Sequence, residues 1–152
     1  MSLHWAALVH EKVAIIAAFA YSQVPLTQLR RERFQGGWRF LEKVIFDLPR
    51  RTATQACMDL ALYFRVLDDD EGLTDYWKQL KEPRVGTLFL KDGATEPLSP
   101  REMSNKIIHA ERIEWELSAE PKVICIGRDK ERWVRAEIEV ESLLALAGQL
   151  GS

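Results

Sequence analysis

Leu98-Ser-Pro-Arg-Glu-Met-Ser-Asn-Lys-Ile-Ile-His-Ala-Glu-Arg-Ile-Glu-Trp-Glu-Leu117 changes period in mid-course, and that change decides the fold class. Ser99 is an N-cap residue and Pro100 fills the first helical position, where its missing N–H costs nothing. Glu102 stands where its carboxylate can return to the Ser99 backbone N–H. A helix therefore starts here and runs to about Ala110. At about 100° per residue it turns Met103, Ile107 and Ala110 toward a core and gathers Arg101, Asn105, His109 and Arg112 in one polar stripe opposite. From Arg112 the period drops to two. Ile113, Trp115 and Leu117 take one face and Arg112, Glu114 and Glu116 the other, as in a half-buried strand.

Downstream the alternation continues. Ala119-Glu120-Pro121 reads as a turn, Val123 to Ile126 as a more apolar strand, and Gly127-Arg128-Asp129 as a second turn. Val134, Ala136, Ile138 and Val140 then alternate with charged neighbours, completing three antiparallel strands. A closing helix spans about Glu141 to Gln149, and Gly151-Ser152 reads as a frayed end.

Upstream the pattern is helical. Leu3 to about Ser22 carries Leu8, Ile15, Ile16 and Phe19 and should end before Pro25. A second helix is expected from Thr27 until Pro49, with Phe34, Trp38, Leu41, Ile45 and Leu48 recurring at three and four. Gly36-Gly37, each costing about 1 kcal/mol against alanine, marks a kink, a close contact or a break within it. Ala56, Leu60, Tyr63, Phe64 and Leu67 predict a third helix over Thr52 to Leu67, ended by Asp68-Asp69-Asp70-Glu71. A short helix from Leu73 to Leu80 follows. Val85 to Leu90 fits a strand or a buried loop, and Lys91 to Pro97 a turn. The expectation is an α+β chain forming one domain over 1–152. Residues 1–110 are mainly helical, 111–140 form the sheet and 141–150 the closing helix: four or five helices packed with a small three-stranded antiparallel sheet.

With 152 residues, 47% hydrophobic and 29% charged, the chain is long enough to bury a core without a disulfide or metal staple. A net charge of -2 supplies no global attraction to nucleic acid or anionic lipid, so any such binding must be local. Cys57 and Cys125 make no disulfide framework and read as buried thiols. His10, Glu11 and Lys12 interrupt the apolar N-terminal stretch, which has no basic leader and falls short of the ~20 residues of a membrane span. A cytoplasmic protein with no membrane partner is the expectation.

Two segments carry candidate chemistry. In the stripe, an imidazole that titrates near neutrality, an amide and guanidinium groups suit RNA phosphodiester chemistry, although a hydrogen-bonded polar helix face explains the same residues. In the second, Arg30, Arg31, Arg33 and Arg39 interleave with Phe34, Trp38 and Phe40, and Arg50-Arg51 lie nearby. Arginines engage phosphates and exposed aromatics stack on bases, whereas packing of Phe34 and Trp38 into the core would leave only a solvated arginine face. Asp68-Asp69-Asp70-Glu71 lacks the ligand spacing of a calcium loop. His4 and His10, about 240° apart around a helix, share no metal. There is no phosphate loop, nucleophile motif or dinucleotide fingerprint, and no cofactor or metal is expected.

Ser104-Asn105-Lys-Ile-Ile-His109, following an all-helical N-terminal region, resembles the motif of the HEPN family. That family places an arginine, a polar residue and, a few residues on, a histidine within a helical bundle that commonly dimerises. Asn105 and His109 match, Ser104 stands where the family has its arginine, and Arg101 lies one turn earlier. The resemblance implies a HEPN-like homodimer, non-catalytic or weakly catalytic, that binds RNA or a protein partner; the stripe and the basic segment supply Arg112, Arg30 and Arg31 as the nucleic-acid contacts. One alternative is a metal-independent RNase in which His109 is the general acid/base, Asn105 positions the phosphate and Arg101 or Arg112 stabilises its charge. The other is a structural or interaction protein with no nucleic-acid role.

Overall fold

A computed structural model describes residues 3–151, which leaves Ser152 of the expected frayed end outside it. The class is α+β: the described residues form five α-helices, a π-helical turn and one five-stranded antiparallel sheet, in place of the three strands expected. The order along the chain is α1 (Leu3–Arg33), the π-helical turn (Lys43–Asp47), α2 (Leu48–Glu71), α3 (Leu73–Gln79), β1 (Gly86–Leu90), β2 (Thr95–Leu98), α4 (Pro100–His109), β3 (Arg112–Glu116), β4 (Lys122–Ile126), β5 (Trp133–Glu139) and α5 (Val140–Gln149).

α1 does not stop before Pro25 but runs eight residues beyond it. A proline inside a helix costs about 3 kcal/mol through its missing N–H and the clash of its ring. The preceding turns offset this by burying Ala6, Val9, Val13, Ile16, Phe19 and Ala20. Beyond Pro25, Gln28 Nε2 donates to Glu32 Oε1 at 2.9 Å, and Arg30, Arg31 and Arg33 lie in the last turn, where the helix dipole favours cations. The expected Thr27–Leu48 helix is absent as a unit. Gly36, at φ 89°, breaks it, residues 34–40 are irregular, and the helical backbone that resumes at Leu41 passes through the π-helical turn into α2.

α2 starts with Pro49 in its first turn and presents Ala53, Ala56, Cys57, Leu60, Ala61, Phe64 and Leu67 to the core at helical spacing. Its small residues let α1 approach closely, and Lys12 Nζ meets Asp59 Oδ2 at 3.5 Å across the pair. The acidic run does not end this helix, which continues through Glu71 until Gly72 adopts φ 65° and its N–H donates to Asp68 O at 2.7 Å.

The sheet order is β2-β1-β5-β4-β3. Within Val85 to Leu90, Gly86–Leu90 is a strand, and a second strand begins inside the expected Lys91–Pro97 turn. Asp92 Oδ1 accepts the Ala94 N–H at 2.9 Å, Gly93 sits at φ 90°, and β2 folds back on β1. α4 then carries the chain from the β2 edge to the β3 edge, and β3-β4-β5 meander back until β5 lies beside β1. Leu88, Val123, Cys125, Ala136 and Ile138 are buried under the helices. Val134 was expected among them but is exposed. The register slips between Phe89 and Leu90, Leu90 pairs with Trp133, and the bulged Val134 yields the inward place to Trp133. Trp115 Nε1 donates to Thr54 Oγ1 at 3.1 Å and its ring meets Phe19 edge-on at 5.0 Å, tying β3 to α2 and α1. His10 Nε2 lies 2.7 Å from Ala147 O and 2.9 Å from Leu150 O, so a helix-α1 imidazole caps the end of α5.

Both cysteines are free and buried. Burial pushes the Cys57 thiol up, with Cys125 adding to the effect, and burial pushes the Cys125 thiol up to about 12. Because the thiolate is the reactive form, native protein at about pH 8 should resist alkylation by iodoacetamide, and both thiols should label once urea unfolds it. Rapid labelling without denaturant would contradict this packing.

Candidate nucleic-acid interface

The α4 cap forms as its sequence demands, with Ser99 Oγ accepting the Glu102 N–H at 3.2 Å and Met103 and Ile107 buried. The polar stripe, however, docks α4 on α2. Arg101 Nη1 reaches Asp68 Oδ2 at 3.0 Å and Asp69 Oδ1 at 2.9 Å, while Arg65 Nη1 donates to Asn105 Oδ1 at 3.4 Å. His109 ends the helix and is exposed. Arg112 is parted from the other three: it belongs to β3, on the face away from Ile113 and Trp115, and its Nε donates to Glu114 Oε1 at 2.8 Å. Ser104, where the resembled motif has arginine, is fully buried with its hydroxyl 3.4 Å from Pro100 O.

Asp68 joins three elements. Its Oδ1 accepts the Thr74 N–H at 2.7 Å, and its Oδ2 accepts the Thr74 hydroxyl at 2.7 Å besides Arg101. Alanine at 68 would remove the bonds that start α3 and hold α4, and should cost about 3 kcal/mol by urea unfolding, whereas Asp70→Ala, at an exposed position, should stay within about 0.5 kcal/mol. Equal effects would show that Asp68 is not a structural junction.

The arginine-rich segment behaves otherwise. From Gln28 to Val44 only Arg30, Phe34 and Leu41 are even partly buried. Trp38 is 55% exposed and Phe40 66% exposed, which corrects the expectation that the aromatic stripe packs into the core. The spacing of three and four marks an inward face only while a helix continues, and Gly36 ends it. Trp38 instead meets Phe34 edge-on at 4.9 Å, and the Arg39 guanidinium lies over Phe40 at 5.6 Å. Arg30 is ion-paired with Glu42, but among the described residues no carboxylate pairs with Arg31, Arg33, Arg39, Arg50 or Arg51. Between Thr27 and Arg51 seven basic residues face three acidic ones, in a chain whose net charge is -2. Arg50 and Arg51 stand in the first turn of α2, which continues directly from the π-helical turn with Asp47 at its N-cap.

The structure therefore brings Arg30 and Arg31 into one exposed basic and aromatic lobe and leaves His109, Asn105 and Arg101 on a separate helix. Phe40, Arg50 and Arg51, which the sequence places in the same candidate segment, fall in this lobe as well. Among the described residues no His, Cys, Asp and Glu cluster suits a metal ion, and no helix is long and apolar enough to cross a membrane. Comparison with known proteins found no matching family model, no matching curated protein and no matching solved structure.

Proposed function

We propose that this is a cytoplasmic, non-catalytic protein that binds single-stranded RNA through the lobe formed by residues 27–51. The observation that carries this reading is the exposure of Trp38 and Phe40 beside Arg31, Arg33 and Arg39, with which no carboxylate pairs among the described residues. Unpaired guanidinium groups contact phosphates irrespective of sequence, and an aromatic face stacks on any base for about 1–3 kcal/mol. RNA binding by the lobe stands whether or not His109 belongs to a HEPN-like motif.

The test uses purified full chain and a fluorescein-labelled oligouridylate. Binding should weaken steeply with salt, and RNA should quench part of the tryptophan emission. Trp5 and Trp115 are half-buried and Trp77 and Trp133 buried, so that quench should vanish in Trp38→Phe. RNA should remain intact in chelator. No binding at low salt would overturn the proposal. RNA cleavage that His109→Ala abolishes would replace it with the metal-independent RNase reading.

A further inference from the structure

Beside the lobe, the last turns of α1 and the π-helical turn line an open cavity of about 490 Å³, to which Leu117 also contributes. That volume lies within the roughly 300–1,000 Å³ of small-molecule sites. Two departures from regular helix create it. α1 carries on past Pro25, extending one wall, and the wider π-helical turn sets Ile45 and Phe46 on the other. Gln23, 5% exposed, fixes the two walls by donating from Nε2 to Ile45 O at 3.0 Å. Single π-helical turns are rare and recur at functional sites, so this one marks the cavity independently of its size.

The lining divides by chemistry. Phe46 contributes an aromatic ring, Thr27 and Gln28 contribute a hydroxyl and an amide, and Arg31 contributes a guanidinium that no carboxylate pairs among the described residues, while the Arg30–Glu42 ion pair spans the rim. A purely apolar cavity would suit a peptide side chain, and a purely cationic one a free phosphate. An aromatic ring, itself 5.8 Å from the Arg50 guanidinium, next to hydrogen-bonding groups and a cation suits a ligand that is planar, polar at its edge and anionic at one end. We infer that the cavity is a nucleotide subsite: it takes one base of a single RNA strand against Phe46, with Thr27 and Gln28 on its edge or ribose and Arg31 on its phosphate. This deepens the RNA-binding reading of the neighbouring lobe and rests on it.

The experiment titrates full-length protein with each of the four nucleoside 5′-monophosphates, with inorganic phosphate, and with the oligouridylate. At least one monophosphate should shift amide resonances of Thr27, Gln28 and Ile45 at millimolar concentration or below. Thr27→Trp, which fills the cavity from an α1 position, should abolish those shifts and weaken the oligonucleotide at least about fivefold, the worth of one stacked base. Tyr76→Ser, on α3, should change neither, and far-UV circular dichroism of Thr27→Trp should match the parent. If the oligonucleotide binds but no monophosphate shifts these resonances, the subsite is refuted while the lobe stands. If inorganic phosphate produces the same shifts, or Thr27→Trp leaves oligonucleotide affinity intact, base recognition there is refuted. If monophosphates bind and the oligonucleotide does not, the RNA reading falls and the subsite with it.

Discussion

Replacing Arg31, Arg33 and Arg39 together by glutamine should lower affinity for a single-stranded oligoribonucleotide by about 30- to 100-fold near 0.1 M salt, and should reduce the slope of log affinity against log salt by about two. The three guanidinium groups are exposed and unpaired among the described residues, so each is free to displace counterions from a phosphate. Three lost contacts at about 0.7 ions each on a single strand account for the change in slope. The same exposure means that the substitutions remove no buried contact, and the unfolding midpoint should hold to within about 0.5 kcal/mol. Lys78 and Lys81, beyond the far end of α2, provide the control: their neutralisation should leave both affinity and slope nearly unchanged. Fluorescence anisotropy at four or five salt concentrations reads both quantities. An unchanged slope in the triple variant would place RNA contacts elsewhere, whatever the change in affinity.

Gly86→Ala should have the largest effect on stability, at least about 4 kcal/mol, which is a large part of what holds a domain folded. The cause is space. Gly86 stands in β1 between β2 and β5, opposite Leu98 on one side and Ile138 on the other. A Cβ built there would lie 1.9 Å from Glu137 O and 2.9 Å from Glu137 C, both backbone atoms of the adjacent strand. No side-chain rotation relieves that contact, so β1 and β5 must separate in the middle of the sheet. Gly148 offers the contrast: a Cβ there meets nothing within 4 Å, and alanine inside α5 should stabilise the chain by about 0.5–1 kcal/mol. Urea unfolding of the two variants should move in opposite directions. A Gly86→Ala protein within 1 kcal/mol of the parent would mean that the strand pairing yields more readily than backbone contact permits.

α4 and the parity of Ile113 and Trp115 were legible because they follow from contacts within a few residues: a hydroxyl on an N–H three positions on, and side chains alternating along extended backbone. Asp92-Gly93 belongs to the same local kind, a strong hairpin signal, but the strand it leads into, β2, has only four residues, too few for its alternation to stand out. Val134 is different. Its outward turn depends on a register slip against β1, about 45 residues earlier in the chain but adjacent in space, which no window of sequence contains.

The candidate site divides along the same line. Arginine density around residues 30–51 is a property of the sequence itself, as are the helix start at Ser99, the two thiols outside any disulfide framework and the α+β class. Whether the interleaved aromatics face solvent or core depended on Gly36 ending α1 and on what lay opposite, and the tertiary structure set Trp38 and Phe40 outside. It also decided that Arg101 and Asn105 engage α2, because their partners Asp68, Asp69 and Arg65 come from another helix. Short-range hydrogen bonds and side-chain periodicity are written along the chain; burial and pairing belong to segments that meet only on folding.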